Sequence, residues 1–239
     1  MPRFFTDNIN NKTAVITGDD AKHIGKVLRA RIGERVTVCD MAGFDYECEI
    51  AEIGEQVLLN VISKTPNETE PSVYVHLFQA LPKSDKMEFI IQKAVELGIS
   101  EITPVLSSRC VSRPDESKMQ KKVRRWNAVA YEAAKQCGRG KISKVNEIIN
   151  FDNAIKEAIK SEVPLIFYEN GGERINGLIS TATKSIAVFI GSEGGFEVGE
   201  IEKAQNVGIK TATLGKRILR CETAPISALS IIMNITENM

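Results

Sequence analysis

Ile186-Ala-Val-Phe-Ile190, Gly191-Ser-Glu-Gly-Gly195 and, after a helical stretch, Leu214-Gly-Lys-Arg-Ile-Leu-Arg-Cys-Glu-Thr-Ala224 read as strand, glycine loop, helix, strand, glycine loop, helix. Both glycine loops follow the carboxyl ends of apolar strands, the edge of an open α/β sheet where ligands collect. Gly191, Gly194 and Gly195 lack a Cβ and let a ligand approach the backbone. The spacing is neither the dinucleotide fingerprint nor a P-loop, because the glycines are out of phase and no Gly-Lys-Ser/Thr comes after them. A lone Gly-Gly is as often a plain turn. The second loop favours a site, because Arg217, Arg220, Glu222 and Thr223 crowd beside Gly215 and charged loops at strand ends are where sites sit.

Outward from this stretch, residues 73–239 alternate strand and helix patterns. "VYVHLFQAL", "EITPVLS", "PLIFYE" at 164–169, "SIAVFI" and "TATL" at 211–214 are the expected strands. "PLIFYE" runs into Asn170-Gly-Gly172, a third loop at the same edge. Asp85 with Glu88 suggests a capping box for a helix whose Met87, Ile90, Ile91 and Ala94 share one face. A long helix over about 115–137 buries Val123, Trp126, Ala130, Ala133 and Cys137 and leaves Lys118, Lys121, Lys122, Arg124 and Arg125 outside. Gly138 stops it, so Arg139 is expected to project from a loop. Thr223 is expected to cap the last helix, with Pro225 in its first turn.

Residues 1–70 are different. "TAVIT", "RVTVCD", "YECEIAEI" and "QVLLNVIS" are short and β-branched, the pattern of a small barrel. One helix, Asp19 to Leu28, interrupts them and sets Lys22, Lys26 and Arg29 on one face. Residues 64–72, with two prolines and no large apolar residue, read as a linker.

Charge is balanced overall but not along the chain. Residues 1–70 carry 8 Lys+Arg against 12 Asp+Glu, residues 71–150 carry 14 against 8, and residues 151–239 carry 9 against 11. A basic middle third on a neutral chain suits a specific RNA contact rather than broad non-specific binding. The five cysteines are scattered without a C-x-x-C, which argues for reduced thiols in a cytoplasmic protein and against a metal site. No apolar run approaches membrane-helix length and no signal-peptide pattern opens the chain.

"IGSEGGF" with "LGKRILRCETA" resembles the RsmE family of 16S rRNA (uracil-N3) methyltransferases, of the SPOUT superfamily. "HIGKVLR" at 23–29, "KMEFIIQKAVELGISEITPVLSSRC" at 86–110 and "RWNAVAYEAAKQCGR" at 125–139 resemble it in the same order. Ser192 and Cys221 depart from the family's usual Pro and Thr. The resemblance implies an α/β protein: a PUA-like RNA-binding β-barrel over 1–70 and a SPOUT domain with a deep trefoil knot over 73–239. It implies a homodimer that uses S-adenosylmethionine (SAM), without a metal, to form 3-methyluridine in 16S rRNA of the small ribosomal subunit.

On that basis SAM would be held by Tyr168, Asn170, Ile190, Gly191, Ser192, Glu193, Gly194, Gly195, Leu214, Gly215, Ile218, Leu219, Arg220, Thr223 and Ala224. RNA would meet Lys26, Arg29, Arg31, Arg109 and Arg113. Uracil N3 carries a proton and is a poor nucleophile. Arginines aimed at its oxygens would stabilise the developing charge, and Arg139, Arg220 and Arg109 are the candidates. Glu193 or Glu222 would take the proton if its site raised its pKa. The alternatives are a SPOUT methyltransferase with another RNA target, a non-catalytic RNA-binding assembly protein, and a small-molecule α/β enzyme using the glycine loops for a nucleotide, against which the missing fingerprints and the β-rich first 70 residues count.

Overall fold

The computed structural model describes residues 1–113 and 115–239. The chain divides into two compact units, Met1–Glu70 with Ala134–Ile142, and Pro71–Ala133 with Ser143–Met239.

In the first unit, among the described residues, β1 (Arg3–Phe5), β2 (Thr13–Ile16), β3 (Arg35–Cys39), β4 (Phe44–Ile53) and β5 (Val57–Pro66) form one sheet in the order β1-β3-β4-β5-β2. β1, parallel to β3, is too short to stand out in sequence. The segment after it reaches β2, where Val15 N–H donates to the Asn8 carbonyl at 3.0 Å and Thr6 Oγ1 donates to the Val15 carbonyl at 2.9 Å. The sheet therefore curls towards closure around Phe4, Ile16, Ile24, Val38, Ile50 and Leu59, all buried. Alternation puts Tyr46, Cys48 and Ile50 of β4 and Val57 and Leu59 of β5 inside. Lys64 to Pro66, expected as linker, lie in β5, because Tyr46 and Asp45 of β4 pair with Lys64 and Thr65.

The expected helix over 19–28 is also revised. An α-helical turn, α1 (Gly18–Lys22), passes into a π-helical turn over His23–Val27. Lys22, expected to share a face with Lys26 and Arg29, pairs with Asp19 at 2.8 Å instead.

In the second unit, β6 (Tyr74–Ala80), β7 (Glu101–Leu106), β8 (Lys144–Val145), β9 (Ile149–Asn150), β10 (Val163–Phe167), β11 (Glu173–Arg174), β12 (Ser185–Ile190) and β13 (Lys210–Thr213) make a sheet. Its order is β11-β13-β10-β12-β6-β7-β8, with β9 also on β7, and the named pairs are parallel. Parallel strands buried on both faces read as continuous apolar runs, as β12 does. Phe78 stacks on Phe189 with ring centroids 4.7 Å apart.

The helices are α2 (Lys86–Glu96), α3 (Glu116–Cys137), α4 (Phe151–Ala158), α5 (Val198–Asn206) and α6 (Thr223–Ile235). In α2, Met87, Ile90, Ile91 and Ala94 are buried as the spacing requires. The expected capping box is absent there: Asp85 precedes the helix without a side-chain cap, and Glu88 turns outward to Arg125, 2.6 Å away. Glu222, not Thr223, precedes α6, because the Thr223 amide already bonds to the Arg220 carbonyl. The end of α3 and residues up to 142 belong to the first unit.

Candidate active site

Because β13, β10 and β12 are adjacent and parallel, the loops after their carboxyl ends lie side by side. Together they line a cavity of about 520 Å³, within the range of small-molecule sites. Tyr168 and Glu169 come from the first loop, Ile190 to Gly195 from the second, and Leu214 to Cys221 with Ala224 from the third.

The glycines of the second loop are required by close backbone approach. A Cβ on Gly191 would lie 2.9 Å from Gly195 Cα. Gly195 adopts φ +67°, and a Cβ there would lie 2.8 Å from Glu169 Oε1. The turn closes through Gly195 N–H donating to the Ser192 carbonyl at 3.0 Å. Ser192, a departure from the resembled motif, is buried and keeps the turn intact. Apolar walls come from Ile190, Leu214, Leu219 and Ile218, the last highly exposed at 85%.

One side chain joins the two glycine loops. The Lys86 ammonium lies 3.0 Å from Glu193 Oε1 and 3.2 Å from Glu222 Oε2, with Cys221 Sγ at 3.8 Å. The Lys83 amide also donates to Glu193, at 3.1 Å. The bonds to Glu193 and then Glu222 raise the Lys86 pKa. Partial burial alone would raise the pKa of both carboxylates. In Glu193 the bonds from its own amide, Lys86 and Lys83 outweigh it. In Glu222 the bonds from Cys221, its own amide and Lys86 do so. Both are held below the ordinary carboxylate value, so the raised pKa expected of a base at Glu193 or Glu222 is absent. Burial, followed by the bond to Glu222, pushes the Cys221 thiol up to about 12, which leaves it unreactive.

The expected residues separate into groups. Tyr168, Ile190, Gly191, Ser192, Glu193, Gly194, Gly195, Leu214, Gly215, Ile218, Leu219, Arg220 and Ala224 line the cavity. Asn170 does not line it; its Nδ2 donates to Tyr168 Oη at 2.9 Å and it borders a smaller hollow beside α5. Thr223 and Glu222 stand just outside, at the start of α6. Arg109 bonds the Gly194 carbonyl at 2.8 Å and Glu197 at 2.8 Å, bracing the loop. Arg113 donates to the Ser107 carbonyl at 2.9 Å. Lys86, Glu169, Thr213 and Lys216, which sequence reasoning did not single out, also line the cavity. Arg220 is exposed and, among the described residues, engages no protein acceptor.

Arg139 lies in the loop after α3, as expected, but it does not project. It is 5% exposed and its guanidinium meets Glu70 in the first unit, with Nη2 2.6 Å from Oε2 and Nε donating to Oε1 at 3.1 Å. The amides of Gly140 and Lys141 donate to the same carboxylate, at 2.9 and 3.0 Å. Burial works against the Glu70 charge, but the Arg139 bonds and these amides outweigh it and lower its pKa. That depressed value makes the contribution of Glu70 full above the ordinary carboxylate range and lost as pH falls through its folded pKa. Arg139→Ala would leave the Glu70 carboxylate without its cation and is expected to cost about 3–5 kcal/mol, measured by urea unfolding. Wild-type stability with lost turnover would instead give Arg139 a chemical role.

The chain matches known families over both units. Residues 69–233 match a family described as the RNA methyltransferase domain, and residues 16–61 match the RNA methyltransferase PUA domain. It is 34% identical over 250 aligned positions to ribosomal RNA small subunit methyltransferase E of Bacillus subtilis, covering 99% of this chain and 98% of that protein. The protein of the same name from Mesomycoplasma hyopneumoniae is 34% identical, with 96% and 98% covered. Among solved structures, ribosomal RNA small subunit methyltransferase E of Neisseria gonorrhoeae, bound to S-adenosyl methionine, is similar with a TM-score of 0.89 at 30% identity, over 98% and 97% of the two chains.

Proposed function

The chain belongs to the ribosomal RNA small subunit methyltransferase E family of RNA methyltransferases, and from that premise we propose that it methylates N3 of a uridine in 16S rRNA with SAM as methyl donor. The observation that carries this reading is the cavity at the three adjoining strand ends. Its backbone-lined turn is too tight for a Cβ at Gly191 or Gly195, and its apolar walls fit a purine beside backbone donors and acceptors. Bound there, SAM would supply a methyl group on a sulfonium for in-line transfer. Ile190, Leu214, Ile218 and Leu219 would flank the adenine, with Tyr168, Gly191 to Gly195, Gly215 and Ala224 contributing backbone and shape.

Most of the catalysis is positioning. Of the three candidates Arg220, Arg109 and Arg139, Arg220 is the one whose donors remain available for charge developing on the uracil oxygens. Arg109 is committed to Glu197 and the Gly194 carbonyl, and Arg139 to Glu70. Glu193 and Glu222 are already ionised at neutral pH and hold Lys86 rather than take the N3 proton. The rate is therefore expected to rise with pH through neutrality, in step with ionisation of the acceptor. A single-turnover profile with a plateau beginning near a carboxylate pKa would contradict this.

RNA contacts are assigned to Lys26, Arg29 and Arg31 of the first unit, and to the remaining donors of Arg109 and Arg113. The same reading makes the second unit a SPOUT domain with a deep trefoil knot, and the protein a cytoplasmic homodimer. Support for the knot comes from the order β13-β10-β12, in which the last strand inserts beside β10 before α6 leaves the third loop.

The test is methyl transfer from labelled SAM to small ribosomal subunits that lack the mark, with the product nucleoside identified by mass spectrometry. Labelled 3-methyluridine from 16S rRNA is expected. Another methylated nucleoside would move the target, and no transfer despite cofactor binding would end the rRNA assignment.

A further inference from the structure

Ala21, Ile24 and Leu28 recur at the spacing of a buried helical stripe, and Val27 is three residues from Ile24. Ala21 and Ile24 are buried, yet Val27 is 67% exposed and Leu28 41%. The cause is the π-helical turn. The Leu28 amide bonds to the His23 carbonyl at 2.9 Å, five residues back, and the Ala30 amide reaches the Ile24 carbonyl at 3.1 Å. The extra residue in the turn rotates Val27 and Leu28 away from the core. Arg29 then takes φ +51°, a left-handed conformation uncommon for a residue with a Cβ. The chain leaves the turn with Ile32 also exposed, at 70%.

The result is a ridge of Val27, Leu28 and Ile32 interleaved with Lys26, Arg29 and Arg31, all exposed. None of these three cations has a side-chain partner among the described residues, whereas nearby Lys22 and Arg35 are paired with Asp19 and Glu47. A π-turn and a left-handed arginine both work against local preference, and such features concentrate at functional sites. Unpaired cations alternating with apolar side chains complement phosphates alternating with nucleobases.

We propose that this ridge grips unpaired nucleotides of the substrate RNA, with Val27, Leu28 and Ile32 packing on base or ribose faces while Lys26, Arg29 and Arg31 meet the flanking phosphates. It rests on the RNA-substrate reading above and adds to it. The apolar side chains need bases that are out of the stack, so the ridge selects single-stranded or bulged RNA rather than a continuous duplex.

The two halves of the ridge have separable signatures. Binding of full-length protein to a naked 16S rRNA transcript and to small subunits would be measured at three salt concentrations. The combined Val27→Ser, Leu28→Ser, Ile32→Ser variant is expected to weaken binding to both by about tenfold or more, with the salt slope unchanged. The combined Lys26→Gln, Arg29→Asn, Arg31→Gln variant is expected to flatten the slope of log K against log salt by about 2. Asn is used at position 29 because it tolerates the left-handed backbone. All six side chains are exposed, so folding is expected to be unaffected and is checked by thermal unfolding.

Wild-type binding to naked rRNA by the serine variant overturns the inference. A loss on subunits alone would then assign the ridge to a ribosomal protein, and a change in oligomeric state would assign it to a second copy. Wild-type protein that neither binds nor methylates rRNA would sink the underlying functional reading, whereas active wild type with an unaffected serine variant sinks only the ridge.

Discussion

Gly191→Ala is expected to lower SAM affinity about a hundredfold while the protein stays folded. The added Cβ would sit 2.9 Å from Gly195 Cα and 3.1 Å from its carbonyl carbon. Those are backbone atoms, so no side chain can swing aside and the turn over 191–195 must open. Opening it displaces Gly195, whose φ of +67° and proximity to Glu169 leave little room, and it moves the wall against which the adenine would lie. β12 ends at Ile190 with its pairing to β6 complete, so the damage stays in the loop. Isothermal titration with SAM reads the affinity, and thermal unfolding without ligand reads the fold. Unchanged affinity would remove the turn from the cofactor site.

Lys86→Met is expected to reduce kcat/KM about tenfold or more through the same cavity without touching its glycines. The substitution retains most of the stem but leaves Glu193 and Glu222 facing each other without the ammonium that lies between them. The two glycine loops around the cofactor lose their common tether, and two carboxylates repel where one cation joined them. The pH dependence changes in a defined direction. In the wild type both carboxylates have depressed pKa values, so their contribution is full above the ordinary carboxylate range and disappears only as pH falls below it. In the variant that loss is expected to begin at higher pH. Lys86→Arg should restore much of the activity by keeping the charge. A Met variant with wild-type kcat/KM and an unshifted acid limb would show that Lys86 is incidental.

Much of this protein was legible one residue at a time. The glycine loops were, because close backbone approach demands glycine wherever it occurs, and Gly191 and Gly195 meet that demand. The strands of the parallel sheet were, because burial on both faces writes itself as an unbroken apolar run such as Ile186 to Ile190. Lys86 was not, because nothing near it in sequence indicates Glu193 and Glu222. The projection expected of Arg139 failed for the same reason: beside Gly138 it reads as an arginine projecting from a loop, but it is a buried loop arginine whose partner Glu70 is 69 residues away.

The helix over 19–28 shows the limit in a local case. Its spacing prescribes one continuous stripe with Leu28 inside. Gly25 seats tightly against Ile53, where a Cβ would come within 3.3 Å of Cγ2, and the chain takes an extra residue in the turn and turns Val27 and Leu28 outward. By itself the sequence determined most of the longer strands and helices and the glycine turns, because these depend on side-chain period and backbone sterics within a few residues; two-residue strands such as β8, β9 and β11 carry no such period. Only the tertiary structure decided which charges neutralise one another and which apolar side chains face solvent, because ion pairing and burial depend on partners that the chain brings together from far along its length.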